Sequence, residues 1–260
     1  MSNRRHLSDL TRENRQNRRC RPCSKDAETA RPGAHPRRPL LSSRIRPAAL
    51  VVTSLCALVT AALGTWYSGE TDAGRIDRIL DTTVQAQIAS HHETLYALVI
   101  LGNPGVVVAL SLGLAAAGLI LGHRRLAVLA LLGPTGASVI TELVLKPLCG
   151  RTLAGGLAFP SGHTTGVFAA ATVAAILVHH RMPSQRRRLH ALFVSSTLLP
   201  PVAVAIALIG LGHHYATDTV GGCGVGVGVV TALALGLDHT AVRSGLFHNR
   251  PGTEDVKSRA

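Results

Sequence analysis

Six stretches of this chain, roughly 48–67, 97–121, 126–145, 164–180, 190–211 and 219–238, are long, apolar and almost free of charge. No other feature constrains the fold as much. A helix needs about 20 apolar residues to cross the ~30 Å hydrocarbon core of a bilayer, and it satisfies its own backbone on the way. A single water-soluble core does not require charges to be segregated in this way. The sequence therefore predicts an all-α fold, a six-helix transmembrane bundle over residues 47–240. A disordered, Arg-rich cytoplasmic tail (1–46) precedes it and a cytoplasmic C-terminal tail (241–260) follows. The second span is the least regular, because Asn103-Pro104-Gly105 interrupts its beginning.

Charge sets the partners and the topology. The formal net charge of +13 arises mostly in the amino-terminal tail, where arginines do not alternate with aromatic residues that stack on bases. This argues against a nucleic-acid partner and for a tail held at the cytoplasmic membrane surface. The basic segment is too long for a signal peptide, and the apolar run behind it is long enough to span. Basic residues recur at alternate connectors, His123-Arg124-Arg125, then Arg181 with Arg186-Arg187-Arg188, and again after the last span. The connector after the first span is acidic on balance, with Glu70, Asp72, Asp77, Asp81 and Glu93 against Arg75 and Arg78. The positive-inside rule then makes this a multi-pass protein with both termini cytoplasmic. Connectors 146–163 and 212–218 fall together on the outer face.

Those two connectors hold the chemistry. In Pro160-Ser161-Gly162-His163, a turn precedes an apolar helix whose first N–H groups are unpaired and suited to an anion. Gly162 permits close approach, Ser161 adds a hydroxyl, and His163 can exchange a proton. His214 and Asp218 are four apart, a spacing that on a helix puts them on one face, where the carboxylate fixes the imidazole tautomer. His213 also lies near Asp218, with poorer alignment. Lys146 and Arg151 stand where two cations can hold phosphate oxygens. Glu142, one helical turn before Lys146, reads as its structural partner. Cys20-x-x-Cys23 has no second pair to complete a zinc site, and Cys56, Cys149 and Cys223 carry no evident chemistry. The run Gly221, Gly222, Gly224, Gly226 and Gly228 lacks the flanking strand and Lys-Ser/Thr of a nucleotide loop, and reads as a helix-packing surface.

Over roughly residues 90–238 these motifs resemble the type 2 phosphatidic acid phosphatase (PAP2) superfamily of membrane phosphatases. The match is full at Pro160, Ser161, Gly162 and His163, and extends to Lys146, His214 and Asp218. The resemblance implies that His214 attacks phosphorus, Asp218 orients it, and His163 protonates the leaving alcohol and then activates water. It implies phosphate binding by Lys146, Ser161 and Gly162, with Arg151, two residues before the family's usual arginine position, as the substitute cation, no metal or other cofactor, and a bacterial cell-membrane setting. The implied substrate is a lipid phosphate of the polyprenyl diphosphate or phosphatidate class. Two positions depart from the family pattern: Leu153-Ala154 replaces an Arg-Pro, and Leu208 replaces an arginine. These departures motivate an alternative, a weakly active or inactive lipid-binding or transport protein. A transporter or scaffold using the histidines as a proton relay is a further alternative.

Overall fold

In the computed structural model, residues 39–181 and 187–248 are described. The tail up to residue 38 with its CxxC, the connector 182–186 and the segment 249–260 lie outside them. Each apolar run forms helix. Arg46–Trp66 is α1, and the acidic connector that follows contains α2, Arg75–Ile88. After a short 3₁₀ turn come α3, His92–Ile100, and α4, Pro104–Ile120. Next is α5, Arg124–Ile140, which widens into a π turn at Thr141–Leu145 and closes with Lys146–Cys149. Gly150, at φ +66°, ends it in the left-handed conformation. Then follow α6, Gly162–Arg181; α7, Arg187–Ser196; α8, Leu199–Gly210; and α9, Ala216–His248.

Among the described residues, five helical segments are long and apolar enough to cross a membrane: Arg46–Trp66, Arg124–Cys149, Gly162–Arg181, Ala191–Gly210 and Ala216–Thr240. The pair α3 and α4, bent by 49°, passes the same test together and makes a sixth when counted as one broken span. The bend has a local cause. Pro104 opens α4 without an N–H, and Asn103 before it is extended at ψ 140°. The irregularity predicted at this point is thus a sharp change of helix direction.

Two features were not anticipated from the sequence. A small hairpin pairs β1 (Thr152–Leu153) with β2 (Gly156–Leu157), Thr152 opposite Leu157. Ala154 and Gly155, at φ +49° and +84°, give the connecting turn its left-handed centre. The connector between the first two spans is also more than an acidic exterior loop, because Asp77 and Asp81 on α2 are buried.

Helix α9 packs along α1 and α6, and α5 packs against α4, α6 and α9. Leu126, Leu129, Ala130, Val173, Val230 and Ala234 form one core; Leu95, Val107, Phe168, Val204 and Leu208 form part of a second. At the end of the bundle away from the histidine motifs, the buried carboxylate of Asp238 accepts the N–H groups of Leu40 and Leu41 and pairs with Arg46 and Arg125. The last residues of the expected tail are therefore fixed against α9, since two buried amides and a buried carboxylate each need a partner.

The α6–α9 contact depends on glycine. A Cβ on Gly226 would lie 2.6 Å from the Thr165 carbonyl oxygen and 2.9 Å from the Ala169 nitrogen, both backbone atoms. At Gly236 the same position is open. Gly226→Ala should therefore cost about 1–3 kcal/mol of stability. Gly236→Ala should be neutral or slightly stabilising, because alanine favours helix by up to about 1 kcal/mol. Unfolding in detergent micelles compares the two, and equal effects would refute the close-packing account.

Candidate active site

Arg151 sits at the centre of the site with no exposed surface. One terminal nitrogen donates to Asp218 Oδ1 at 2.6 Å and to Thr217 Oγ1 at 2.7 Å; the other donates to Asp77 Oδ2 at 2.6 Å. The rings of Tyr67 and Tyr215 lie 4.2 and 4.3 Å from the guanidinium carbon. A buried cation needs this surrounding, since an unpaired one is far too costly to desolvate. Burial alone would lower its pKa, but Asp218 and Asp77 hold it above the ordinary arginine value. Arg151 was expected on a bound phosphate. Its charge is instead committed to two aspartates, and it does not line the cavity described below.

The aspartates organise the start of α9. Asp77 accepts the Thr217 N–H at 2.9 Å and Asp81 accepts the Ala216 N–H at 3.0 Å, satisfying donors that a helix N-terminus leaves unpaired. Asp218 reaches back to the Tyr215 N–H at 3.1 Å, the reciprocal half of a capping box. His214 itself precedes α9, so it does not share a helical face with Asp218. The cap brings them together instead, with His214 Nδ1 3.5 Å from Asp218 Oδ2. His213 meets the Tyr96 ring edge-on at 5.9 Å.

The second motif joins the first through the backbone, the Ser161 N–H donating to the Asp218 carbonyl at 3.0 Å. Ser161 is fully buried, and its hydroxyl accepts from the Thr164 N–H at 3.4 Å and the Thr164 hydroxyl at 3.1 Å. It is the N-cap of α6. Gly162 and His163, the first residues of that helix, face the cavity. His163 Nε2 lies 3.1 Å from Asn103 Oδ1, and because an amide oxygen only accepts, Nε2 carries the proton in this contact. Asn103, noticed in the sequence only as part of a helix interruption, thus contacts the Nε2 edge of the ring. A Cβ on neighbouring Gly102 would stand 2.9 Å from His163 Cβ, so glycine is what allows the bend to approach this close.

A cavity of about 770 Å³ receives these groups. At its polar end are His163, His213, His214, Gly162, Lys146 and Glu142, with Leu153 on the wall. It continues between α4, α5 and α6 along Val107, Val108, Ser111, Pro134, Thr135, Ser138, Val139 and Leu143. Of the predicted site residues, His163, His214, Lys146 and Gly162 meet on this cavity, Asp218 backs His214 from beneath, and Ser161 and Arg151 lie outside its wall. Leu208, at a family arginine position, is buried in the apolar core. Lys146 is the only Lys or Arg among the described residues that line the cavity.

Comparison with known proteins follows the same outline. Residues 107–238, just over half of the chain, match the PAP2 superfamily. Among solved structures, the chain is similar to a transmembrane PAP2-type phosphatidylglycerolphosphate phosphatase from Bacillus subtilis. The TM-score is 0.55 at 18% identity, over 74% of this chain and 96% of that one, and at that identity the likeness is one of fold. No curated protein matched the sequence at a significant level.

The buried cluster yields two predictions. Arg151→Ala should destabilise the protein by about 3–5 kcal/mol by stranding two carboxylates, whereas Lys146→Ala should cost about 0–1 kcal/mol. Denaturation in detergent distinguishes them, and a mild Arg151→Ala variant would contradict its anchoring role. Asp81 supplies the second. Burial, reinforced by Asp77 and Asp218, pushes its carboxyl up to about 6 from 3.8, against the opposing Ala216 N–H and Arg151. The folded state then binds the extra proton, so stability falls as pH rises between those values and stays reduced above them. Asp81→Asn keeps an acceptor for Ala216 and should raise the thermal midpoint more at about pH 7 than at about pH 4, the range spanned by a carboxyl titration. Equal shifts at both would assign the titration to another group.

Proposed function

Because the chain belongs to the PAP2 superfamily, we propose that it is an integral membrane phosphatase that removes the terminal phosphate of a lipid phosphomonoester or diphosphate. The carrying observation is the cavity's two-part character: three histidines, a lysine and a glutamate at one end, and apolar helix faces at the other. From Lys146 to Thr135 along α5 the groove runs for about 16 Å at 1.5 Å per residue, about half of a bilayer core. A lipid tail entering from the bilayer fits that wall while its phosphate meets Lys146 and the first turn of α6.

In this reading His214 Nε2 attacks phosphorus. Its Nδ1 faces the Asp218 carboxylate at 3.5 Å, which favours the tautomer whose Nε2 lone pair is free and stabilises the cation as the P–N bond forms. His163, doubly protonated at the start of the step, gives its Nε2 proton to the departing oxygen as the P–O bond breaks and is left neutral with its proton on Nδ1, releasing the lipid alcohol or, from a diphosphate, the lipid monophosphate. The same nitrogen then takes a proton from water, whose oxygen attacks phosphorus. The P–N bond breaks and inorganic phosphate leaves. Lys146 and the N-terminus of α6 offset the charge that develops on the phosphoryl oxygens. The positive-inside pattern favours a site on the outer face with cytoplasmic termini.

One observation favours the alternative of a weakly active or inactive lipid-binding protein. Leu208 and Leu153 stand at family arginine positions, and Arg151 does not replace them at the cavity. Phosphate release from a lipid phosphomonoester in detergent micelles decides between the readings. The wild type should turn over, and His163→Ala should lose about 10²–10⁴-fold, the range for a general acid–base group. His214→Ala should fall to background and lose an acid-labile phosphoprotein trapped by rapid denaturation. Equal release by wild type and His214→Ala would refute the nucleophile assignment.

A further inference from the structure

The seat for a phosphate already contains an anion. Glu142 Oε2 is 2.9 Å from Lys146 Nζ, and Glu142 Oε1 lies against Gly162, where a Cβ would collide with it. The carboxylate therefore lies between the cavity's lysine, to which it is bonded, and Gly162 at the start of α6, the two elements to which a phosphoryl group would bind. It is not a buried structural ion pair, since the Glu142 side chain keeps 48% of its surface exposed within the cavity mouth. Glu142 and Lys146 also flank the π turn Thr141–Leu145, a local widening of α5 of the kind often found at functional sites.

We propose that Glu142 is a specificity-determining residue: its carboxylate occupies the anion seat of the resting site and yields to a dianionic terminal phosphate, but not to the monoanionic phosphodiester of ordinary membrane phospholipids. This rests on the phosphatase reading. A groove open to the bilayer is exposed to phosphodiester lipids at high local concentration, so a site that merely attracted anions would be occupied by them. A terminal phosphate carries about −1.5 to −2 charges near neutral pH, whereas a phosphodiester carries a single negative charge. Replacing one carboxylate by one phosphodiester gains no charge at Lys146 or at the helix terminus. It also pits a free ligand against a group tethered one turn from the lysine, which competes at high effective concentration. A dianion brings additional charge to the same cation and the same N–H groups, and can displace the carboxylate. With Arg151 held by Asp77 and Asp218, Lys146 is the cation for which they compete.

The test uses the full chain in detergent micelles with Glu142→Gln, which preserves shape and removes charge. Orthovanadate binding, read from thermal stabilisation, should tighten by on the order of tenfold. The KM for a lipid phosphomonoester should fall by a similar factor, with kcat unchanged or lower. Phosphatidylglycerol in the micelles should inhibit the variant at mole fractions that leave the wild type unaffected. Unchanged or weaker vanadate binding would overturn the proposal, by making Glu142 a support for Lys146. Tighter vanadate binding without new inhibition by phosphatidylglycerol would also overturn it, by removing the discrimination. A wild type that binds vanadate but releases no phosphate would instead sink the phosphatase reading, and the binding measurement would still judge whether Glu142 holds the seat.

Discussion

The pairing of Arg151 with Asp77 and Asp218 is the interaction on which the functional end of this protein depends. A guanidinium with no exposed surface can exist there only if opposite charges and aromatic faces surround it. Meeting that requirement draws together three distant segments: the connector helix α2, the loop leading into the hairpin, and the start of α9. Asp218, fixed from one side by arginine and from another by the Tyr215 N–H, is left facing His214. The same carboxylate thus anchors the fold through Arg151 and stands 3.5 Å from the His214 imidazole.

The two helix N-termini at this end are used in opposite ways. Three carboxylates occupy the first turn of α9, satisfying its N–H groups from within the protein. The first turn of α6 opens on the cavity, with Ser161 capping Thr164 and with Gly162 and His163 on the wall. One dipole stabilises the scaffold and the other faces the cavity, with the Glu142 carboxylate against Gly162. The division also explains why Lys146 is the one Lys or Arg among the described residues of the cavity wall: Arg151 is occupied in holding the scaffold.

Much of the bundle was legible in the sequence because hydropathy is a local property. Each apolar run declares its own helix, whatever it packs against, and Pro104 declares the bend by lacking an N–H. Lys146, Gly162, His163 and His214 stood out because their motifs sit at the ends of those runs, and the structure puts all four on one cavity. What was misread involves charge. Asp77 and Asp81 looked like exterior acids, and Arg151 looked like a phosphate ligand, because sequence gives the sign of a charge but not its partner. Asn103 carried no chemical signal beyond its place before a proline, and Leu40 and Leu41 looked like the end of a disordered tail.

The sequence by itself determined that the chain is a set of membrane-length helices and that two histidine motifs stand at helix ends. Hydrophobic length and short-range caps need only neighbours along the chain. Tertiary structure alone decided which charges are buried as scaffold and which face the cavity. It also decided that His163 meets Asn103 and that Glu142 reaches across to Gly162. Those outcomes depend on pairs separated by up to about 140 residues. The cost of burying a charge is met by whatever partner the packing brings within reach, and no local pattern encodes that partner.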